Sequence, residues 1–319
     1  FLYAQVRDRS GRLLDLGTKG SGQTPWSRQG DGRLTLKGGV REILAATYLE
    51  TLGVHTSKAF SLVETGEQLH RNDEPSPTRG AVLVRLSESH IRFGTFQRCA
   101  YLDDTEGLAR LVDYCVAQFH PGADAPGMAT KAVNLLGHIT RATAGMIGQW
   151  MAAGFVHGVM NTDNFNVTGE TFDFGPWRFL PVSDPNFTAA YFDENGLYRF
   201  GRQPTQGAWA LQQLASALLP LAEADDLARG LAREARMKAS PQAALYDTAD
   251  FAPVRDALAA RTPAHPGRLS LPYFQAAAPV VLLIEDVESL WSPIAERDDW
   301  SAFDAKLAHL EAARTALAP

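Results

Sequence analysis

The sequence contains little cysteine. Only Cys99 and Cys115 occur in 319 residues, and no C-x-x-C pair is present. Two cysteines cannot build a disulfide framework, and without a C-x-x-C pair we expect no cysteine-ligated zinc site. We therefore expect a reducing, cytoplasmic location for this chain.

Long apolar runs and an excess of basic residues are also missing. The longest apolar candidate, residues 276–284, contains a proline and is about half of the roughly 18 residues that a membrane span needs. Thirty basic against thirty-six acidic residues give a formal net charge of −6, whereas binding to nucleic acid needs a basic surface. No signal peptide is visible. We expect neither a membrane nor a nucleic acid as a partner.

The composition, with 45% hydrophobic and 21% charged residues, is typical of a globular protein. Alternating apolar and polar residues predict a hairpin over residues 1–19, and because the chain opens inside that pattern we expect an upstream segment to be missing. Apolar residues near the 3.6-residue period predict a helix over 39–52. Further strands are predicted over 55–65 and 80–89, on either side of a proline-containing loop.

After Phe93 the pattern becomes mainly helical. Helices are predicted over 104–120, 130–153 and 207–221, with further alanine-rich helices to about residue 260. A strand-rich and turn-rich segment interrupts them, with buried-type strands predicted at 165–167 and 171–175. These patterns predict an α+β fold with a strand-rich N-terminal lobe (1–100), a helical C-terminal lobe (101–319) carrying a hairpin at 155–180, and a ligand cleft between the lobes.

The strongest motif lies in that hairpin. His157 begins the run HGVMNTDN, which ends at Asn164, and Asp173 begins the run DFG nine residues later. Protein kinases use H-R-D-L-x-x-x-N followed by D-F-G, so a protein-kinase-like fold is expected. Asn164 and Asp173 offer the oxygen ligands that Mg²⁺ or Mn²⁺ prefers. The alternative is an ordinary turn stabilised by Asn and Asp side chains.

One position departs from the kinase motif. Val159 stands where a kinase has its catalytic aspartate, and valine has no proton to exchange. Either the chain is an inert relative of kinases, or it transfers a different part of the nucleotide. Asp163 is then the nearby carboxylate that could act as a base.

A lysine and a glutamate form the second constellation. Lys19 ends a predicted strand, and Glu42 follows 23 residues later at the start of a predicted helix. Kinases place a strand lysine on the nucleotide phosphates and orient it with a helix glutamate. The alternative is two unrelated, solvated surface charges.

Two further groups of residues are suited to binding phosphate. The glycine-rich segment 20–33 contains a tight turn at Asp31 and Gly32, and glycine-rich loops can present backbone amides to anions. Arg85 and Arg92 flank the run SESHI, and arginine side chains can bind phosphate oxygens in a bidentate manner. Taken alone, both groups are also compatible with an ordinary loop and surface arginines.

Together these residues resemble a known family. The runs KGSGQTPWSRQGDGR, VREILAATYLETLGVHTSKAFSLV, VRLSESHIRFGTFQ and HGVMNTDNFNVTGETFDFGPWRFL are similar to selenoprotein O proteins, over about residues 1–221. The resemblance implies an atypical kinase fold that transfers AMP from ATP to Ser, Thr or Tyr hydroxyls of proteins. It also implies that ATP binds inverted relative to kinases, so that the α-phosphate faces the acceptor and pyrophosphate leaves.

The resemblance also implies a role for each motif residue. Lys19, Arg85 and Arg92 would hold the terminal phosphates, Glu42 would pair with Lys19, Asp31 and Gly32 would contact the nucleotide, Asn164 and Asp173 would hold Mg²⁺ or Mn²⁺, and Asp163 would accept the proton. UMP transfer by the same site and an inert nucleotide-binding scaffold remain alternatives. A small-molecule phosphotransferase is a further alternative, which Val159 disfavours.

Overall fold

A five-stranded antiparallel sheet forms the first part of the chain. The computed structural model describes residues 1–25, 27, 30–228, 231, 271–275 and 280–317. The strands are β1 (Leu2–Arg7), β2 (Leu13–Lys19), β3 (Leu34–Thr35), β4 (Lys58–Leu69) and β5 (Thr78–Ser87). Strand β5 is central. Strand β4 pairs with one of its edges, and both β2 and β3 pair with the other edge, one after the other along β5. The predicted hairpin is present as the antiparallel pair of β1 and β2.

Helix α1 (Leu36–Thr51) packs on this sheet. It begins three residues before the predicted start, because the Thr35 side chain accepts a hydrogen bond from the backbone of Gly38 at 3.0 Å and caps the helix. A Cβ atom at Gly39 would overlap the side chain of Leu62 on β4. Glycine at this position therefore allows the helix to approach the sheet closely.

The rest of the described chain is mainly helical. The helices are α2 (Phe93–Tyr101), α3 (Thr105–Gln118), α4 (Met128–Ala152), α5 (Gln203–Ala217), α6 (Pro272–Gln275), α7 (Ile284–Arg297) and α8 (Ser301–Leu317). Asp104 caps α3 as predicted, and its carboxylate accepts a hydrogen bond from Gly107 at 2.7 Å. Helix α5 begins four residues before its predicted start. The helices predicted beyond residue 231 lie outside the described residues.

The segment between α4 and α5 corrects one prediction. Residues 165–167 and 171–175 do not form strands; instead β6 (Phe155–Val156) pairs with β7 (Arg178–Phe179). The Asn166 side chain accepts a hydrogen bond from the backbone of Thr168 at 3.0 Å. Such local side-chain bonds favour a turn over a strand ladder, which is why the apolar run did not become a strand.

The larger of two hydrophobic clusters in the described residues connects most of these elements. It extends from Val40 and Leu44 on α1 through Trp150 on α4 to Leu310 on α8. The result is a mixed α and β fold with an antiparallel sheet, while the two-lobed protein-kinase-like arrangement, with its boundary at residue 100, stays a prediction. Within the described ranges, no helix has the length and the apolar character that crossing a bilayer requires.

Candidate active site

The end of β2 carries the first part of a charged cluster. Lys19 is the last residue of β2, and its Nζ lies 2.8 Å from Oε1 of Glu42 on α1. The same Nζ lies 3.1 Å from Oδ1 of Asp173. The two carboxylates raise the pKa of Lys19 although burial acts to lower it, so the amine stays charged.

Two arginines complete the cluster around the same carboxylate. Arg85 on β5 contacts Asp173 Oδ1 at 2.6 Å, and Arg92 contacts Asp173 Oδ2 at 2.6 Å. Both guanidinium groups also lie over the ring of Phe172, at 5.2 and 5.1 Å from its centroid. The ring and the carboxylate together hold the arginines in place through cation–π and charge-assisted contacts.

Asp173 itself has an unusual backbone and an unusual charge environment. Its φ of 55° lies in the left-handed region, where residues other than glycine are uncommon. Burial acts to raise the pKa of its carboxyl, but the charges of Arg85, Lys19 and Arg92 outweigh it and hold the pKa well below the usual range. The carboxylate is therefore ionised and available to three cations.

Asp163 and Asn164 lie in a short 3₁₀ turn, residues Thr162–Asn164. The amide Nδ2 of Asn164 donates a hydrogen bond to the carbonyl of Val159 at 2.8 Å, which leaves Oδ1 as the acceptor end of this side chain. The Asp163 carboxylate packs against α2, where a Cβ at Gly94 would overlap its Oδ1. Sequence reasoning missed this role of Gly94, although the residue lies two positions after Arg92 in the run VRLSESHIRFGTFQ.

The donor set fits a hard divalent cation. Asn164 provides an amide oxygen and Asp173 a carboxylate, and Mg²⁺ commonly takes one or two such protein ligands and completes its shell with phosphate and water. No group of three or more His, Cys, Asp or Glu side chains suited to a metal occurs in the part of the chain that the structure describes. That Asn164 and Asp173 share one ion stays a prediction.

The glycine-rich loop has its own ion pair. Asp31 forms a bidentate contact with Arg71, at 2.9 and 3.1 Å, rather than with the cluster around Asp173. Gly32 has a φ of 65°, and a Cβ there would overlap the backbone of Gly22. Arg71 lies in the loop between β4 and β5 without a recognisable motif, so the sequence offered no signal for this pairing.

The sequence of this chain matches one protein family and several curated relatives. The model of the family described as "Protein adenylyltransferase SelO" matches residues 1–249. A "Protein nucleotidyltransferase YdiU" from Synechocystis sp. is 55% identical over 215 residues, which cover 67% of this chain and 45% of the relative. Its namesake from Gloeobacter violaceus is 53% identical over 237 residues, which cover 73% of this chain and 48% of the relative. The chain spans about half the length of the curated relatives it matches.

Proposed function

The chain belongs to the SelO family of protein adenylyltransferases, and on that premise we propose that it transfers AMP from ATP to hydroxyl groups of proteins. The relatives are named protein nucleotidyltransferases, which fits a nucleotide and a protein as the two substrates. One observation carries the proposal: Lys19, Arg85 and Arg92 converge on the carboxylate of Asp173. Three cationic side chains this close together are suited to binding a triphosphate, which carries several negative charges and many acceptor oxygens.

The position of these cations supports an inverted nucleotide on a kinase-like fold. Arg85 is 5% exposed and lies on the central strand of the sheet, so phosphates bound to it would be deep in the site. Val159, at the position of the kinase base, has no group that could serve a hydroxyl acceptor at the γ-phosphate. In this proposal the terminal phosphates lie on Lys19, Arg85 and Arg92, and the α-phosphate faces outward.

Each remaining residue then has a role in nucleotide binding. Glu42 orients the Lys19 amine through their 2.8 Å contact. Asp31 and Gly32 contact the nucleotide from the glycine-rich loop. Asn164 and Asp173 would hold Mg²⁺ or Mn²⁺, which when bound neutralises charge on the phosphates.

The transfer step needs one base and one leaving group. A hydroxyl oxygen of the target protein attacks the α-phosphorus and forms the new P–O bond. Asp163 accepts the hydroxyl proton, and the bond from the α-phosphorus to the bridging oxygen breaks, so that pyrophosphate leaves with that electron pair. Lys19, Arg85 and Arg92 stabilise the charge that develops on the departing pyrophosphate.

The proposal is tested with ATP labelled at the α-phosphate and the purified 319-residue chain. Asp173→Ala is expected to abolish transfer of label to protein, and Asp163→Ala to slow it by about 10²- to 10⁴-fold, the usual contribution of a general base. Asp113→Ala serves as the control, because Asp113 pairs with Lys131 on α4 and belongs to no part of the site. Labelling that survives in Asp173→Ala would contradict the assignment.

A further inference from the structure

Unsatisfied polar atoms gather on one face of the sheet. Among the residues that the structure describes, six buried side-chain nitrogen or oxygen atoms have no hydrogen-bond partner in the protein. Four of them belong to three neighbouring residues: Nε of Arg85, Oγ of Ser87, and Nδ1 and Nε2 of His90. Because such atoms destabilise a folded chain when nothing satisfies them, their clustering points to a ligand that binds there.

The strand register places these atoms beside the proposed phosphate site. Ser87 pairs with Asp15, and Arg85 pairs with Gly17, across β5 and β2. Cross-strand partners project from the same face, and alternate residues of one strand share a face. Ser87, Arg85 and Lys19 therefore lie on one face of the sheet, and Ser87 is only 1% exposed.

The His90 ring packs over Gly17 on this face of the sheet. A Cβ at Gly17 would lie 2.7 Å from Cε1 and 2.8 Å from Nε2 of the His90 ring, so the ring edge rests directly on the strand opposite Arg85. The backbone N–H of His90 donates to Oδ2 of Asp15 at 2.8 Å. The ring Nδ1 is 3.6 Å from that oxygen, which is longer than a hydrogen bond.

The chemistry of the unsatisfied atoms selects the ligand. The Arg85 Nε–H can only donate, and the Ser87 hydroxyl and an imidazole N–H can also donate. The Asp15 carboxylate lies on this face, but its Oδ1 already accepts a hydrogen bond from Gln5 at 2.8 Å. A cation offers no acceptor to the Arg85 Nε–H, whereas an anion with several acceptor oxygens would satisfy all three donors.

We infer that Ser87, His90 and the Nε of Arg85 form a subsite for the terminal phosphate of the nucleotide, through which the chain selects a triphosphate. The inference rests on the proposed function, and it adds Ser87 and His90 to the residues that bind phosphate. The subsite holds pyrophosphate after transfer and has no part in holding AMP.

Two variants and one control test the subsite by calorimetric titration of the 319-residue chain with pyrophosphate and, separately, with AMP, at a fixed Mg²⁺ concentration. Ser87→Ala and His90→Phe, which keeps a ring over Gly17, are expected to weaken pyrophosphate binding by about ten- to a hundred-fold, the loss of a hydrogen bond to a charged ligand. AMP binding should not change. Thr143→Val is the control, because Thr143 Oγ1 on α4 is also buried without a partner.

A second measurement separates binding from folding. Removing an unsatisfied hydroxyl should leave the unfolding temperature of the unliganded chain unchanged or higher in Ser87→Ala, as in Thr143→Val. Pyrophosphate affinity equal to wild type in both Ser87→Ala and His90→Phe would overturn the subsite. If Arg92→Gln alone weakens binding, the proposed function stands without this subsite. If wild type binds neither pyrophosphate nor AMP, the proposed function fails and the subsite fails with it.

Discussion

The Arg85 guanidinium lies 2.6 Å from the Asp173 carboxylate and holds it against the central strand of the sheet. Arg92 and Lys19 contact the same carboxylate. In this structure the Asp173 carboxylate therefore binds the same three cationic side chains that the proposed function assigns to the phosphate oxygens. A phosphate ligand and the Asp173 carboxylate must then compete for the same donors.

This competition predicts an unusual phenotype for Asp173→Asn. The neutral amide compensates the arginines less, so pyrophosphate without added metal should bind about three- to ten-fold more tightly than to wild type, an effect on the order of 1 kcal/mol. AMP transfer should be lost in the same variant. Titration calorimetry measures the affinity, and Asp163→Asn is the control with unchanged pyrophosphate binding. Weaker binding of pyrophosphate to Asp173→Asn would show that the carboxylate does not compete.

Gly94 is expected to be essential for positioning the base. Because a Cβ at Gly94 would overlap Oδ1 of Asp163, Gly94→Ala should move the carboxylate and lower kcat for AMP transfer by about a hundred-fold, while ATP binding changes little. Gly148→Ala is the matched control, since Gly148 lies in α4 with open space around it. That control should keep full activity and be more stable by about 0.5–1 kcal/mol. An equal loss of activity in both variants would contradict the role of Gly94.

Glu170 gives a prediction for the pH dependence of stability. Burial raises the pKa of its carboxyl to about 7, from 4.5. Between these values the folded chain keeps a proton that the unfolded chain has lost, so the free energy of unfolding should fall as pH rises, by about 3 kcal/mol over the whole interval. Above pH 7 this contribution no longer changes with pH.

The contribution of Glu170 is isolated by comparing wild type with Glu170→Gln in urea unfolding at several pH values. Between pH 4.5 and 7, the slope of the unfolding free energy against pH should differ between the two proteins by the equivalent of one proton. The nearby His55 and Glu88 are present in both proteins, so the difference reports Glu170. Gly148→Ala on α4, which removes no titratable group, should leave the slope unchanged. Parallel curves for wild type and Glu170→Gln would contradict the assigned pKa.

Local patterns predicted much of the fold and some of the site. Alternation and turn residues gave the β1–β2 hairpin, and the apolar period gave α1, so the approach of Lys19 to Glu42 follows from two local predictions. Helix α2 was missed as a separate element, because nine residues are too few for a clear period. Residues 165–167 were wrongly predicted as a strand because Phe165 and Val167 are apolar. The Asn166 side chain between them hydrogen-bonds to the local backbone and favours a turn.

The remaining relationships depend on tertiary packing. The position of Arg85 opposite Gly17 follows from the register of two strands that are distant in sequence. Neither the cover that His90 provides for Gly17 nor the pairing of Asp31 with Arg71 has a local signature. A sequence pattern can identify each of these residues separately, but the contacts between them are visible only in the folded structure.

The orientation of the nucleotide is the central claim, and the position of the transferred label tests it most directly. Wild-type chain is incubated with a protein acceptor, Mg²⁺ or Mn²⁺, and ATP labelled at either the α- or the γ-phosphate. The account predicts protein-bound label from α-labelled ATP alone, with the γ-label released in pyrophosphate. Protein-bound label from γ-labelled ATP alone would contradict it.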